Sequence, residues 1–106
     1  MIKSILSAAG IPARRTRFKN PPKADSYLVW FDTVTLIGPD LTPWMLREHS
    51  ITIELYECKI DETAEAALEA ALDSAGVEWA CGDREWIETT QLYQVIYTFK
   101  YHEKRR

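Results

Sequence analysis

The strongest constraint on the fold is an alternation of side-chain character near the end of the sequence. From position 93 onward, the odd-numbered residues of this segment are aromatic or β-branched: Tyr93, Val95, Tyr97, Phe99 and Tyr101. Because successive side chains of a strand point to opposite faces of its sheet, residues 91–101 are predicted to form a strand whose aromatic face packs on helices. Residues 49–57 show the same alternation and predict a second, half-buried antiparallel strand.

Two more strands and two helices complete the prediction. Residues 27–37 are rich in β-branched and aromatic side chains, and residues 77–81 alternate, so both segments are predicted strands. Apolar residues at helical spacing predict a helix over residues 1–10 and a second helix that begins after Asp61. Asp61 is the predicted N-cap because its carboxylate can accept hydrogen bonds from the free amides of the first turn. Gly76 is the predicted C-terminal cap.

The order of these elements is helix, strand, strand, helix, strand, strand, which predicts an α+β fold. We expect a four-stranded antiparallel sheet with an N-terminal helix and one long helix packed on one face. At 106 residues, the chain has the size of a single domain. The predicted parts of this domain are an N-terminal helix (1–10), an extended basic arm (11–26), the sheet plus helix (27–101) and a basic tail (102–106).

Charged residues are unevenly distributed, although the net charge is only −3. Residues 1–23 carry six bases and no acid, residues 24–99 carry fifteen acids and three bases, and residues 100–106 carry four bases and one acid. Basic ends around an acidic centre favour self-complementary association or a polyanionic partner. Two solvated basic arms are the simpler alternative.

Two segments are candidates for contact with a partner. The first is the basic arm, with Arg14, Arg15, Arg17, Phe18 and Lys19. Bases interleaved with an aromatic suit contact with phosphates and bases, and they equally suit an acidic surface of a second subunit. The second is the loop predicted over residues 38–47, with Trp44, Met45 and Arg47. Large apolar side chains in a loop pack either on the sheet or on a partner. The residues named in these two segments together make up the predicted interface.

No pattern predicts catalysis, a cofactor or a bound metal. His49 and His102 belong to no metal-binding motif, and both are predicted to face solvent. The four glycines occur singly, so the sequence has no glycine-rich loop that could hold a nucleotide. Cys58 and Cys81 fit no disulfide framework and are predicted to be free thiols in a reducing cytoplasm. We therefore predict a protein that is not an enzyme and binds no cofactor.

Several short motifs occur in an order that resembles a known family. They are Gly-Ile-Pro at 10–12, Tyr-Leu-Val-Trp at 27–30, Ile-Thr-Ile-Glu-Leu-Tyr at 51–56, Trp-Ile-Glu at 86–88 and Leu-Tyr-Gln-Val-Ile-Tyr-Thr-Phe at 92–99. A proline-rich arm separates the first two, and a Glu/Ala-rich helix follows the third. Over nearly its whole length, the chain resembles the small prophage tail proteins of Gram-positive bacteria, which are similar to the tail terminator (tail completion) and neck proteins of long-tailed phages.

The resemblance implies a non-enzymatic virion structural protein. Proteins of this kind assemble as rings, commonly hexamers, that cap the tail tube and contact the head connector or neck. The implied partners are further copies of the chain, the tail tube and the connector or neck proteins; DNA only passes through the ring, and no membrane is involved. The implied location is the bacterial host cytoplasm during assembly and then the virion. Ring size and the choice between tail end and neck stay open.

Two functions of other classes also stay open at this stage. A small nucleic-acid-binding or regulatory module would use the bases of the arm, and its binding would weaken steeply with salt. A small enzyme would need a concave pocket lined by Glu48, His49 and Cys58.

Overall fold

The structure is a computed structural model that describes residues 1–17, 25–37 and 45–105. This part of the chain contains two helices, α1 (Ile2–Ala9) and α2 (Glu62–Ser74). It also contains six strands: β1 (Ala13–Arg15), β2 (Ser26–Ile37), β3 (Met45–Glu57), β4 (Trp79–Cys81), β5 (Glu85–Ile87) and β6 (Leu92–Arg105).

All six strands belong to one open sheet. Its order is β1-β2-β3-β6-β4, and β5 also pairs with β6. β2 and β6 both pair antiparallel with β3, whereas β1 runs parallel to β2. β4 and β5 both lie along β6, β4 opposite Tyr97–Phe99 and β5 opposite Leu92–Gln94. The long strands therefore form the centre of the sheet, and the three-residue strands flank it.

Both helices pack on the same face of the sheet. The core combines four residues of α1 and four of α2 with the inward residues of the strands: Ile2, Ile5, Leu6, Ala9, Ala64, Leu68, Ala71, Leu72, Leu28, Trp30, Ile51, Ile53, Leu55, Val95, Tyr97 and Phe99. In β3 and β6 these inward residues are odd-numbered, as the alternation predicts. The central strand β3 places Ile51, Ile53 and Leu55 there with almost no exposure.

The predicted α+β class is confirmed, but the predicted four-stranded, wholly antiparallel sheet is wrong. β1 lies in a segment without periodicity and was not predicted. Residues 85–88 were predicted to begin the return strand, whereas the structure forms a separate strand, β5, there. Backbone pairing with longer neighbours forms both strands. Beside β1, the Leu28 N–H donates to the Pro12 carbonyl at 2.8 Å and the Thr16 N–H donates to the Trp30 carbonyl at 2.8 Å, and β5 pairs with Leu92–Gln94 of β6. α2 has thirteen residues, close to the average helix length, so it is not the long helix that was predicted.

Three segments predicted to be irregular contain strand residues instead. β1 lies within the predicted basic arm, β3 begins at Met45 inside the loop predicted over 38–47, and β6 continues to Arg105 through the predicted basic tail. In these stretches of β3 and β6, no helix covers the sheet, so burial imposes no apolar alternation on the sequence. Strand pairing alone defines them.

The ends of α2 are as predicted. The Ala64 N–H donates to Asp61 Oδ1 at 3.0 Å, which confirms Asp61 as the N-cap. Asp61 Oδ2 also accepts a hydrogen bond from the Ser26 hydroxyl at 2.9 Å, and the two contacts lower the pKa of the Asp61 carboxyl. At the other end, Gly76 has φ +74°, a conformation that favours glycine, and its N–H donates to the Asp73 carbonyl.

We expect Asp61→Ala to lower the urea midpoint of unfolding, because it leaves the Ala64 amide and the Ser26 hydroxyl without their acceptor. Asp61→Asn keeps an acceptor oxygen and should restore most of the loss. Urea unfolding followed by circular dichroism compares the two variants. Equal midpoints for Asp61→Ala and the unmodified chain would contradict a capping role.

Candidate functional site

The three long strands extend beyond the helices at one end of the sheet. At about 3.3 Å per residue they span roughly 40–46 Å, whereas α2 spans about 20 Å at 1.5 Å per residue. We call the extension the ribbon: residues 32–37 of β2, 45–50 of β3 and 100–105 of β6. Strand pairing sets which residues lie side by side across the ribbon. For example, Leu36 of β2 pairs with Arg47 of β3, which pairs with Glu103 of β6.

A buried histidine lies at the base of the ribbon. His49 is only 7% exposed, and its Nδ1 lies 2.9 Å from Asp32 Oδ2 and 3.0 Å from Asp32 Oδ1. Its ring stacks on Tyr101 with centroids 4.4 Å apart and planes 3° from parallel. The prediction that His49 faces solvent is therefore wrong. His49 shares the inward face of β3 with Ile51, and the Tyr101 ring covers it there.

The outer part of the ribbon carries weaker contacts on the same face. Arg47 lies 3.8 Å from Glu103, and both side chains are substantially exposed. His49 Nε2 is buried without a hydrogen-bond partner, since Glu103 Oε2 is 3.9 Å away. Exposed ion pairs contribute little to stability. The His49–Asp32 contact joins β3 to β2, and the stacking of His49 on Tyr101 joins β3 to β6. The His49 side chain therefore links all three strands of the ribbon.

The β2 strand of the ribbon exposes apolar side chains. Val34 and Leu36 are each 46% exposed on the inward face, beyond the reach of the helices, and Ile37 is also exposed. No pattern in the sequence distinguishes these residues from those of a covered strand. The available signal was the continuation of apolar residues through Ile37 with no third helix to cover them. Exposed apolar groups in neighbouring positions are typical of a contact surface.

The structure does not bring the predicted interface residues together. Arg14 and Arg15 lie in β1, Arg17 follows it, and all three are exposed; the Arg15 guanidinium sits 5.3 Å from the centroid of the Trp30 ring. Arg47 lies in the ribbon beside Leu36, six residues or about 20 Å along β2 from Trp30. The backbone of Met45 pairs with Arg105 at the tip. The predicted residues Phe18, Lys19 and Trp44 lie outside the described residues.

The cleft required by the enzyme alternative does not form. Glu48 and His49 are consecutive in β3 and point to opposite faces of the sheet. Glu48 lies 3.1 Å from His102 and 3.6 Å from Lys100 on the face away from the helices. Cys58 follows the other end of β3, nine residues or about 30 Å from His49. Among the described residues, no group of three or more His, Cys, Asp or Glu side chains is placed to hold a metal ion.

A second polar cluster lies where β3 meets α2. Glu57 is fully buried; its Oε2 accepts from the Asp61 N–H at 3.0 Å, and its Oε1 lies 3.5 Å from Arg84 Nε. Arg84 also contacts the Glu65 carboxylate at 2.6 Å. Burial raises the pKa of Glu57 to about 7, and the adjacent Glu65 carboxyl adds to the rise. This cluster joins the helix to the sheet and the β4–β5 connection.

The comparisons with known proteins identify the fold. No protein-family model and no curated protein matches the sequence. A chain in a structure of the virion of a native gene transfer agent (GTA) particle is similar, with a TM-score of 0.65 and 14% identity over 94% of this chain and 84% of that chain. A second solved structure matches with a TM-score of 0.57 and 16% identity, over 94% of this chain and 87% of the other. This chain therefore shares its fold with that chain of the GTA particle structure.

Regarding membranes, neither helix in the described ranges is long and apolar enough to span one.

We expect Asp32→Ala to reduce the free energy of unfolding by about 1–3 kcal/mol, because it leaves the buried His49 Nδ1 without its partner. Glu103→Ala is the matched control: it removes another carboxylate near His49, but an exposed one 3.9 Å away, and should cost less than about 1 kcal/mol. Urea unfolding measures both values. Equal losses in the two variants would show that the Asp32 contact does not hold the ribbon.

We expect Glu57→Gln to change how stability depends on pH. Because the folded-state pKa of Glu57 is raised to about 7 from 4.5, the folded state holds this proton more tightly than the unfolded state. The contribution of Glu57 to stability therefore falls as pH rises from about 4.5 to about 7. Glu57→Gln removes that fall, so the variant should gain relative to the unmodified chain between pH 5 and pH 8.

Urea unfolding at both pH values measures the effect, and Glu85→Gln at an exposed position is the control. A stability difference between Glu57→Gln and the unmodified chain that is the same at pH 5 and pH 8 would contradict the raised pKa.

Proposed function

We propose that this chain is a non-enzymatic structural subunit of a phage-like virion. The observation that carries the proposal is the fold shared with a GTA virion component over 94% of this chain and 84% of that chain. Coverage of both chains at this level means that the likeness includes the whole domain rather than one hairpin. The separation of Glu48, His49 and Cys58 in the structure supports a role other than catalysis.

More specifically, we propose a ring-forming subunit that acts as a tail terminator or joins head and tail. Ring closure needs two different surfaces on each subunit, because successive copies contact one another head to tail. The uneven charge supports such contact, since both ends of the sequence are basic and the centre is acidic. The exposed apolar residues of the ribbon supply a surface that a neighbour can cover.

The proposed partners follow from this role. They are further copies of the chain in a hexamer, the end of a tail tube, and a connector or neck protein. DNA would contact the ring only while it passes through. Assembly would take place in the host cytoplasm and end with incorporation into the virion.

One observation favours a second candidate, a nucleic-acid-binding module. Arg14 and Arg15 of the outer strand β1, and Arg17 just after it, are all exposed. Such a module predicts binding of duplex DNA that weakens steeply with salt and is lost when these three arginines become alanine. The structural role predicts no salt-sensitive DNA binding that depends on these arginines.

We expect native mass spectrometry of the purified full chain to show a closed oligomer, with six copies as the proposed number, because each subunit would carry two complementary surfaces. Varying protein and salt concentration tests whether the oligomer depends on charge. Addition of purified tail tubes tests capping by co-sedimentation. A monomer at every protein concentration, with and without tubes, would contradict the proposal, as would salt-sensitive DNA binding that requires Arg14, Arg15 and Arg17.

A further inference from the structure

We propose that copies of the chain join through the two edges of the ribbon, with the β2 edge of one copy lying against the β6 edge of the next. This inference rests on the proposed ring and names the surfaces that would form it. The occupant of each edge is therefore a second copy of the same chain, which extends the sheet across the subunit boundary.

Both edges of the ribbon are unpaired within the described ranges. β1 covers the outer side of β2 only opposite Leu28–Trp30, and β4 and β5 cover β6 only up to Phe99. Residues 32–37 of β2 and 100–105 of β6 have strand partners on their inner sides alone. Each edge therefore presents a row of backbone N–H and C=O groups, which is a template for pairing with another strand.

The β2 edge lacks the features that normally protect such an edge. Residues 33–37 read Thr-Val-Thr-Leu-Ile, with no charge, proline or glycine. Their backbone pairs continuously with β3, without a bulge, and Val34 and Leu36 are half exposed. An edge that stays solvated usually carries lysine, proline or a bulge to prevent pairing. The composition of the β2 edge is that of a strand which another strand covers.

The placement and charge of the two edges select a second copy as the occupant. They lie on opposite sides of the same three-stranded ribbon, about 10 Å apart, so each copy can offer one edge and accept on the other. The one charged residue of the β2 stretch, Asp32, already contacts His49 of the same subunit, whereas residues 100–105 carry three bases and one acid. Pairing β6 with β6 would bring basic residues together, whereas pairing β2 with β6 places them along an edge without free charge.

The strand directions are also compatible with a ring. β2 and β6 are both antiparallel to β3 and therefore run the same way within one subunit. If neighbouring copies are related by rotation about an axis parallel to these strands, the strand direction is the same in every copy. β2 of one copy then meets β6 of the next as a parallel pair. The same contact then repeats around the ring until it closes.

The first test replaces the apolar side chains of the β2 edge with charge in the full chain. Val34→Lys/Leu36→Lys should raise the concentration for half assembly at least about tenfold in native mass spectrometry, because two lysines at the joint oppose strand pairing. Ile60→Lys is the matched control, since Ile60 is 52% exposed but lies outside the ribbon. Circular dichroism checks that both variants fold. A folded double variant that assembles like the unmodified chain would overturn the proposal.

The second test identifies which edges meet. In a Cys58→Ser/Cys81→Ser background, one sample carries Leu36→Cys and another Glu103→Cys, and the two are mixed and treated with a short bis-maleimide. Pairing of β2 with β6 predicts cross-links between positions 36 and 103 of different copies. Cross-links only between two copies of position 36, or only between two copies of position 103, would overturn the head-to-tail arrangement.

The two proposals fail in different ways. If a ring forms in the unmodified chain and persists in Val34→Lys/Leu36→Lys, the result is consistent with the structural function and contradicts the proposed ribbon contact. A chain that stays monomeric at all concentrations would contradict the proposed ring itself.

Discussion

The antiparallel pairing of β3 with both of its neighbours is the interaction on which the rest of the structure depends. Twelve residue pairs join β3 to β2 and thirteen join it to β6. The inward residues of these rows form the surface on which α1 and α2 pack. Farther along, the same rows position His49 against Asp32 and Tyr101. A shift of one residue would turn each inward side chain outward, so the core and the ribbon share one register.

The parts of the fold that the sequence predicts are those where burial leaves a pattern. Ile51, Ile53 and Leu55 alternate because a helix-covered face selects apolar residues at every second position. Asp61 was predictable because a cap is a local interaction. β1 has three residues and no alternation, and no helix covers the outer part of the ribbon to impose one. These elements depend on backbone pairing with other segments of the chain, which composition does not record.

The candidate site was less predictable than the fold for the same reason. His49 is buried by Asp32, seventeen positions earlier, and by Tyr101, fifty-two positions later. Nothing near His49 in the sequence indicates either neighbour. The predicted interface emphasised charge and so included Arg14 and Arg47, which the structure places far apart. In the sequence, Val34 and Leu36 resemble ordinary strand residues, because their exposure depends on how far the helices extend over the sheet.

The order of the strands along the chain has a consequence for synthesis. Ile37 and Leu46 pair across nine positions, so β2 and β3 can form a hairpin early. β6 pairs with β3 across separations from thirty-six positions, Glu57 with Tyr93, to sixty, Met45 with Arg105. During synthesis the residues of β2 and β3 precede those of β6, so this hairpin can form before its third strand is available. Pairing of the fourteen-residue strand β6 with β3 therefore depends on residues that are made well after the hairpin.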